Sequence, residues 1–128
     1  MTKHLMEAIC SPENIAAAVR AVVRNKGAAG VDGMTVRDLP RAFAAHWPEI
    51  ERDLLEGRYQ PQPVRRVSIP KPGGGGERHL GIPTVFDRTI QQAVLQQQAL
   101  LQQVLLQQAA LQALQQKQAA LQGQRKGN

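Results

Sequence analysis

The chain has 128 residues, enough for one domain with a modest core, and a formal charge of +6 at pH 7. Aromatic residues make up only 3% of it, so a core must rest on Val, Ile, Leu and Ala. No uninterrupted apolar run of about 18 residues occurs, the opening MTKHLMEAIC is too short and polar for a signal peptide, and one cysteine cannot pair within the chain, so a soluble cytoplasmic protein with no membrane partner is expected.

In chain order, Ser11-Pro12-Glu13 starts a helix: a hydroxyl cap, a proline where the missing N–H costs nothing, and a carboxylate near the positive helix end. Cys10, just before it, is expected to pack as a small buried side chain, since no activating base lies beside it. Ile15, Val19, Val22 and Val23 follow as one apolar stripe, and Gly27 is expected to end the helix in a left-handed cap. The loop NKGAAGVDG, residues 25–33, carries three glycines and is irregular. Thr35 and Asp38 have capping-box spacing for the next segment, whose Leu39, Phe43, Trp47, Ile50 and Leu54 would face inward. Pro40 and Pro48 predict two short helices there, and Gly57 a stop.

Residues 58–70 change character, with Val67 and Ile69 alternating against Arg66 and Ser68 as in a strand with one dry and one basic face. After four glycines, residues 78–82 can return as the partner strand of a hairpin. Thr84 and Asp87 then cap a helix whose Phe86, Ile90, Ala93 and Val94 share a face. From about Gln96 the chain becomes a Gln/Leu/Ala text of high helix propensity. Its apolar clusters recur about every five residues, so they spiral around the helix and give no coiled-coil seam. A sticky helix with a charged, frayed end over 124–128 is expected, capable of self-association. The fold class is therefore α+β: N-terminal helices, a basic β-hairpin and a long C-terminal helix, divided into a body over residues 1–95 and a low-complexity tail over 96–128.

All ten carboxylates lie within residues 1–90 beside thirteen cations, which leaves that body at +3. Between Arg58 and Arg78, five cations face only Glu77, a patch suited to RNA, DNA or nucleotide phosphate. Two readings of the glycine run between Lys71 and Arg78 stay open: a slack hairpin tip, or a tip that lets two cations share an anion. A Walker-type phosphate loop is excluded, because Gly76 leads to Glu77-Arg78 and a strand rather than to Lys-Ser/Thr and a helix. The 25–33 loop is either a cap and turn or a surface for a nucleic-acid backbone with Lys26 as anchor. Arg65 and Arg66 are either a solvated face or phosphate contacts that position without reading sequence. His4, His46 and His79 have no ligand-like spacing with the cysteine, and Asp32, Asp38, Asp53 and Asp87 fall in caps, turns or exposed helix faces. Neither a metal site nor a catalytic residue is expected.

NKGAAGVDGMTV at 25–36 and LLEGRYQPQPVRRVSIPKPGGGGERHLGIPTVFDRTIQQAV at 54–94, in that order and spacing, resemble the N-terminal fingers region of bacterial group II intron reverse transcriptases, or maturases. The resemblance implies RNA-directed DNA polymerisation, with RNA and deoxynucleotide triphosphates as partners and Mg²⁺ on palm aspartates. Lys71 and Arg78 would grip the triphosphate, the 25–33 loop would lie on the template side, and Ile82–Arg88 would support the templating strand. The Gln/Leu/Ala tract departs from the family, and the sequence holds no Tyr-Ala-Asp-Asp. It lacks the catalytic carboxylates, so no cofactor of its own is expected, and polymerisation by this polypeptide alone is not expected. A non-enzymatic RNA-binding module with a self-associating helical tail is the alternative, and a partly folded, self-associating remnant a third reading.

Overall fold

The computed structural model describes residues 2–126. It contains α1 (Thr2–Ile9), α2 (Pro12–Asn25), α3 (Leu39–Leu55), β1 (Arg65–Pro70), β2 (Glu77–Ile82) and α4 (Val85–Lys126), an α+β fold with one antiparallel hairpin. The chain divides into two units, Met1–Gln96 and Gln97–Asn128.

The sequence reading placed no element before Ser11, yet α1 is there. Ile9 and the following Cys10 are both buried, with Met6 packed against the same core. Two helical turns hold too few apolar positions for periodicity to show, so tertiary packing stabilises this helix. Ser11 caps α2 as expected, its Oγ accepting from the Asn14 amide at 3.4 Å. The C-cap falls one residue earlier than Gly27. Lys26 is the cap, at φ 57° and ψ −132°, and its amide donates to the Val23 carbonyl at 3.2 Å, while Gly27 follows at φ 97°.

In α3, Leu39, Phe43, Ile50 and Leu54 are buried and Trp47 packs against them. The expected capping box does not form: Asp38 is the N-cap without a side-chain bond to the helix, and Thr35 Oγ1 donates to Asp38 Oδ2 instead. Pro40 in the first turn has no amide to be capped, which lowers the demand for one. Nor does Pro48 split the segment in two. It removes the amide that would bond the Ala44 carbonyl, but Ala44 and Ala45 are exposed and water can take that role, while the packed face holds the axis. Gly57, at φ 73°, ends the helix in a Schellman motif: its amide donates to the Leu54 carbonyl at 3.2 Å and that of Arg58 to the Asp53 carbonyl at 2.8 Å.

The first turns of α4 close the core. Val85, Ile90 and Ala93 are buried, and Phe86 meets Phe43 edge-on at 5.3 Å between ring centroids. Asn14 anchors this junction although nothing in the sequence singled it out. Its buried side-chain amide donates to the Ile9 carbonyl at 2.8 Å and the Ala93 carbonyl at 3.0 Å, while its oxygen accepts from Gln96 Nε2.

The hairpin stands largely clear of this core. Only Val67 and Ile82 are partly shielded, so the side expected to be dry is open, with Ile69 38% and Leu80 36% exposed. The second unit is the remainder of α4, exposed at every described side chain from Gln98 to Gln124. Its leucines spiral as their spacing predicts, so Leu100, Leu105 and Leu111 all stand open to solvent. Helix is assigned through Lys126; Gly127 and Asn128 lie outside the described residues.

Candidate nucleic-acid and phosphate interface

The glycine run turns the chain between the two cations by adopting backbone angles other residues resist. Gly73, Gly74 and Gly76 lie at φ 85°, 79° and 96°. The Lys71 amide donates to the Gly76 carbonyl at 2.8 Å, extending the ladder past Pro70↔Glu77, and the Gly74 amide donates to the Lys71 carbonyl at 3.3 Å. With Ile69 opposite Arg78 and Lys71 opposite Gly76, the strand alternation puts Lys71 and Arg78 on one face as diagonal neighbours. Among the described residues neither is in an ion pair. Arg58, by contrast, pairs with Glu56 and with Asp53 at 3.6 Å, so it is neutralised within the patch.

The adjacent arginines part company. Arg65 lies on the Lys71/Arg78 side and its Nε donates to the Ala29 carbonyl at 2.9 Å, tying β1 to the 25–33 loop. Arg66 lies on the opposite side, across from Gly81. Lys26 is exposed at the start of the loop and joins neither face.

Two contacts that sequence reasoning missed hold the loop. Arg88 Nη1 donates to the Ala28 carbonyl at 2.7 Å. Gly30 lies directly on the backbone of Pro83 and Thr84, where an added Cβ would come within 2.7 Å of Thr84 N and Cα. A signal for Arg88 existed: a cation in the first turn of a helix opposes the macrodipole and invites another reason for its presence. A cavity of about 300 Å³ opens beside Lys26, Gly27, Arg88, Gln91 and Gln92. Arg88 Nε and Nη2 are shielded from solvent and find no protein acceptor.

Thr84 caps α4 as expected, accepting from the Asp87 amide at 3.1 Å. The Asp87 carboxylate is buried and accepts from the Tyr59 hydroxyl and the Gln62 amide, so it fixes the approach to β1. Burial first, then the Asp87 hydrogen bond and charge, push the Tyr59 hydroxyl far above its ordinary range. Among the described residues, no group of three or more His, Cys, Asp or Glu side chains is placed to hold a metal ion.

The chain is 42% identical over 95 residues to protein YkfC of Escherichia coli (strain K12), covering 73% of this chain and 25% of YkfC. It is 50% identical over 46 residues to the group II intron-encoded protein LtrA of Lactococcus lactis subsp. cremoris, covering 36% of this chain and 8% of LtrA, and equally to LtrA of strain MG1363. The chain thus spans about a quarter of YkfC and under a tenth of LtrA. No protein-family model matches it. Among the described residues, no helix is long and apolar enough to cross a membrane.

Proposed function

We propose that this chain is a fingers-type segment of a group II intron reverse transcriptase or maturase, which binds RNA and the phosphates of an incoming deoxynucleotide. One observation carries the reading: Lys71 and Arg78 share a face across a glycine tip, and neither is in an ion pair among the described residues. Two unpaired cations so placed repel unless an anion lies between them. Arg78 offers a fork of parallel donors to a phosphate and Lys71 a mobile point charge. Arg65, latched to Ala29, extends that face toward the loop, and Lys26 and Arg66 supply further backbone contacts. The work is electrostatic; charge is stabilised without proton transfer, and no described residue of this chain is assigned a chemical step. The similarity to LtrA supports this reading, since that protein is intron-encoded.

Amide spectra of the full chain test it. A deoxynucleotide triphosphate should shift the Gly73–Gly76 signals, and Lys71→Ala with Arg78→Ala should abolish the shift. RNA binding that is steeply salt-dependent but insensitive to the nucleotide would reduce the function to an RNA-binding module. No binding of either would overturn the proposal.

A further inference from the structure

Among the described residues, Arg88 alone has buried side-chain polar atoms without a partner, Nε and Nη2. These two N–H groups lie on one edge of the guanidinium and point the same way, the edge with which arginine grips a carboxylate or phosphate through two parallel bonds. The third nitrogen, Nη1, is committed to the Ala28 carbonyl at 2.7 Å, which holds the group in place. No acid answers the charge. Asp87, its neighbour in the chain, is turned to Tyr59 and Gln62, and Arg88 is in no ion pair among the described residues. Gln92, one turn along α4, donates its amide to Gln96 at 3.3 Å and gives Arg88 no acceptor. A cation shielded on its paired edge and left without an acceptor is costly, and such a group calls for an ion to complete it. The cavity of about 300 Å³ in whose wall Arg88 stands has a second cation, Lys26, with Gln91 and Gln92, apolar Val22 and Leu95, and no carboxylate in its lining.

We propose that this cavity binds one small oxyanion, the phosphate or carboxylate group of a low-molecular-weight ligand, with Arg88 as its two-bond anchor. Lys26 supplies a second positive charge, and the Gln91 and Gln92 amides donate to the outer oxygens. Lys26 and Gln91 are exposed, so their side chains are free to swing aside and let the oxyanion reach the shielded edge. The volume exceeds that of a bare oxyanion, which leaves Val22 and Leu95 to cover a short carbon skeleton. Arg88 also holds the Ala28 carbonyl, so an occupied site would pin the 25–33 loop more firmly. The site shares no residue with the Lys71/Arg78 pair and does not rest on the nucleotide reading.

Nitrogen-15 spectra of the full chain, read at the arginine Nε–H signals, test this. Inorganic phosphate added at constant ionic strength should shift the Arg88 Nε–H signal and saturate. Gln92→Glu keeps a good helix former and sets a carboxylate one turn from Arg88, where it can supply the missing acceptor. That variant should weaken phosphate binding at least about tenfold, the order expected when an internal charge-assisted pair competes for the same donors. A parallel titration with acetate distinguishes the two ligand chemistries, and saturation by either anion supports the site. A shift that never saturates, or that Gln92→Glu leaves unchanged, would overturn it. So would an Arg88 signal that answers to RNA and to neither anion, which would make the cavity part of the nucleic-acid surface. The Gly73–Gly76 amides report the hairpin separately. If they respond to a deoxynucleotide triphosphate while Arg88 ignores both anions, this inference fails and the nucleotide reading stands.

Discussion

Cys10 shows how a single side chain can report on the fold. It is 4% exposed, and burial, followed by the negative field of Glu51, pushes its thiol up to about 11 from 9.0. The protonated thiol is therefore favoured in the folded state. Its stabilising contribution is complete below pH 9, where both states hold the proton, and is lost as pH rises through the folded value near 11. Denaturant titrations should show stability falling over that window, steeper above pH 10 as Tyr59 joins in. Cys10→Ala should flatten the lower part of the slope; an unchanged slope would assign it to another group. Asn14 and Asp87 are the other instructive residues. Asp87 had an evident local role at a helix start and Asn14 had none, and both bond across the fold, Asn14 to the Ile9 and Ala93 carbonyls and Asp87 to Tyr59 and the Gln62 amide. Partners 25 or 79 positions away leave no periodicity to read.

At the scale of elements, the 25–33 loop is defined by what it touches. Arg65 from β1 and Arg88 from α4 hold successive carbonyls, Ala29 and Ala28, and Gly30 sits on the entry to α4. Gly30→Ala would drive a methyl into backbone atoms that cannot rotate away, so the loop must lift. A loss of about 2 kcal/mol is expected, of the size seen for overpacking a filled site, with weakened RNA binding if the loop lies on the nucleic acid. Gly33→Ala is the matched control: nothing stands within 4 Å of its Cβ position, and only its φ of 73° is strained. If Gly30→Ala unfolds at the same denaturant concentration as the unsubstituted chain, the close approach at Gly30 carries no energy. The hairpin is the reverse case. Its pairing and its tip were legible because Pro, Gly and strand alternation act locally, whereas the open side under Ile69 and Leu80 was not, because burial depends on what packs there.

For the whole molecule, every residue of the hydrophobic core lies at or before Val94, and the leucines beyond stand exposed on all sides of α4. A helix apolar all round is normally covered. We expect sedimentation of the full chain to show concentration-dependent association that a chain ending at Gln96 lacks, while the shorter chain keeps a cooperative unfolding transition. A full-length protein that stays monomeric at high concentration would contradict the tail's role. The α+β class, the Ser11 and Thr84 caps, the inward stripe of α3 and the glycine tip were written in residue types whose preferences act over one or two turns. Tertiary structure decided the rest: that α1 exists, that Pro48 stays within one helix, that Arg65 and Arg66 serve different faces, and that Arg88 anchors a loop. Those outcomes depend on contacts between segments far apart in sequence, where a local preference of a few tenths of a kcal/mol is outweighed by burial and hydrogen bonding worth about one or more.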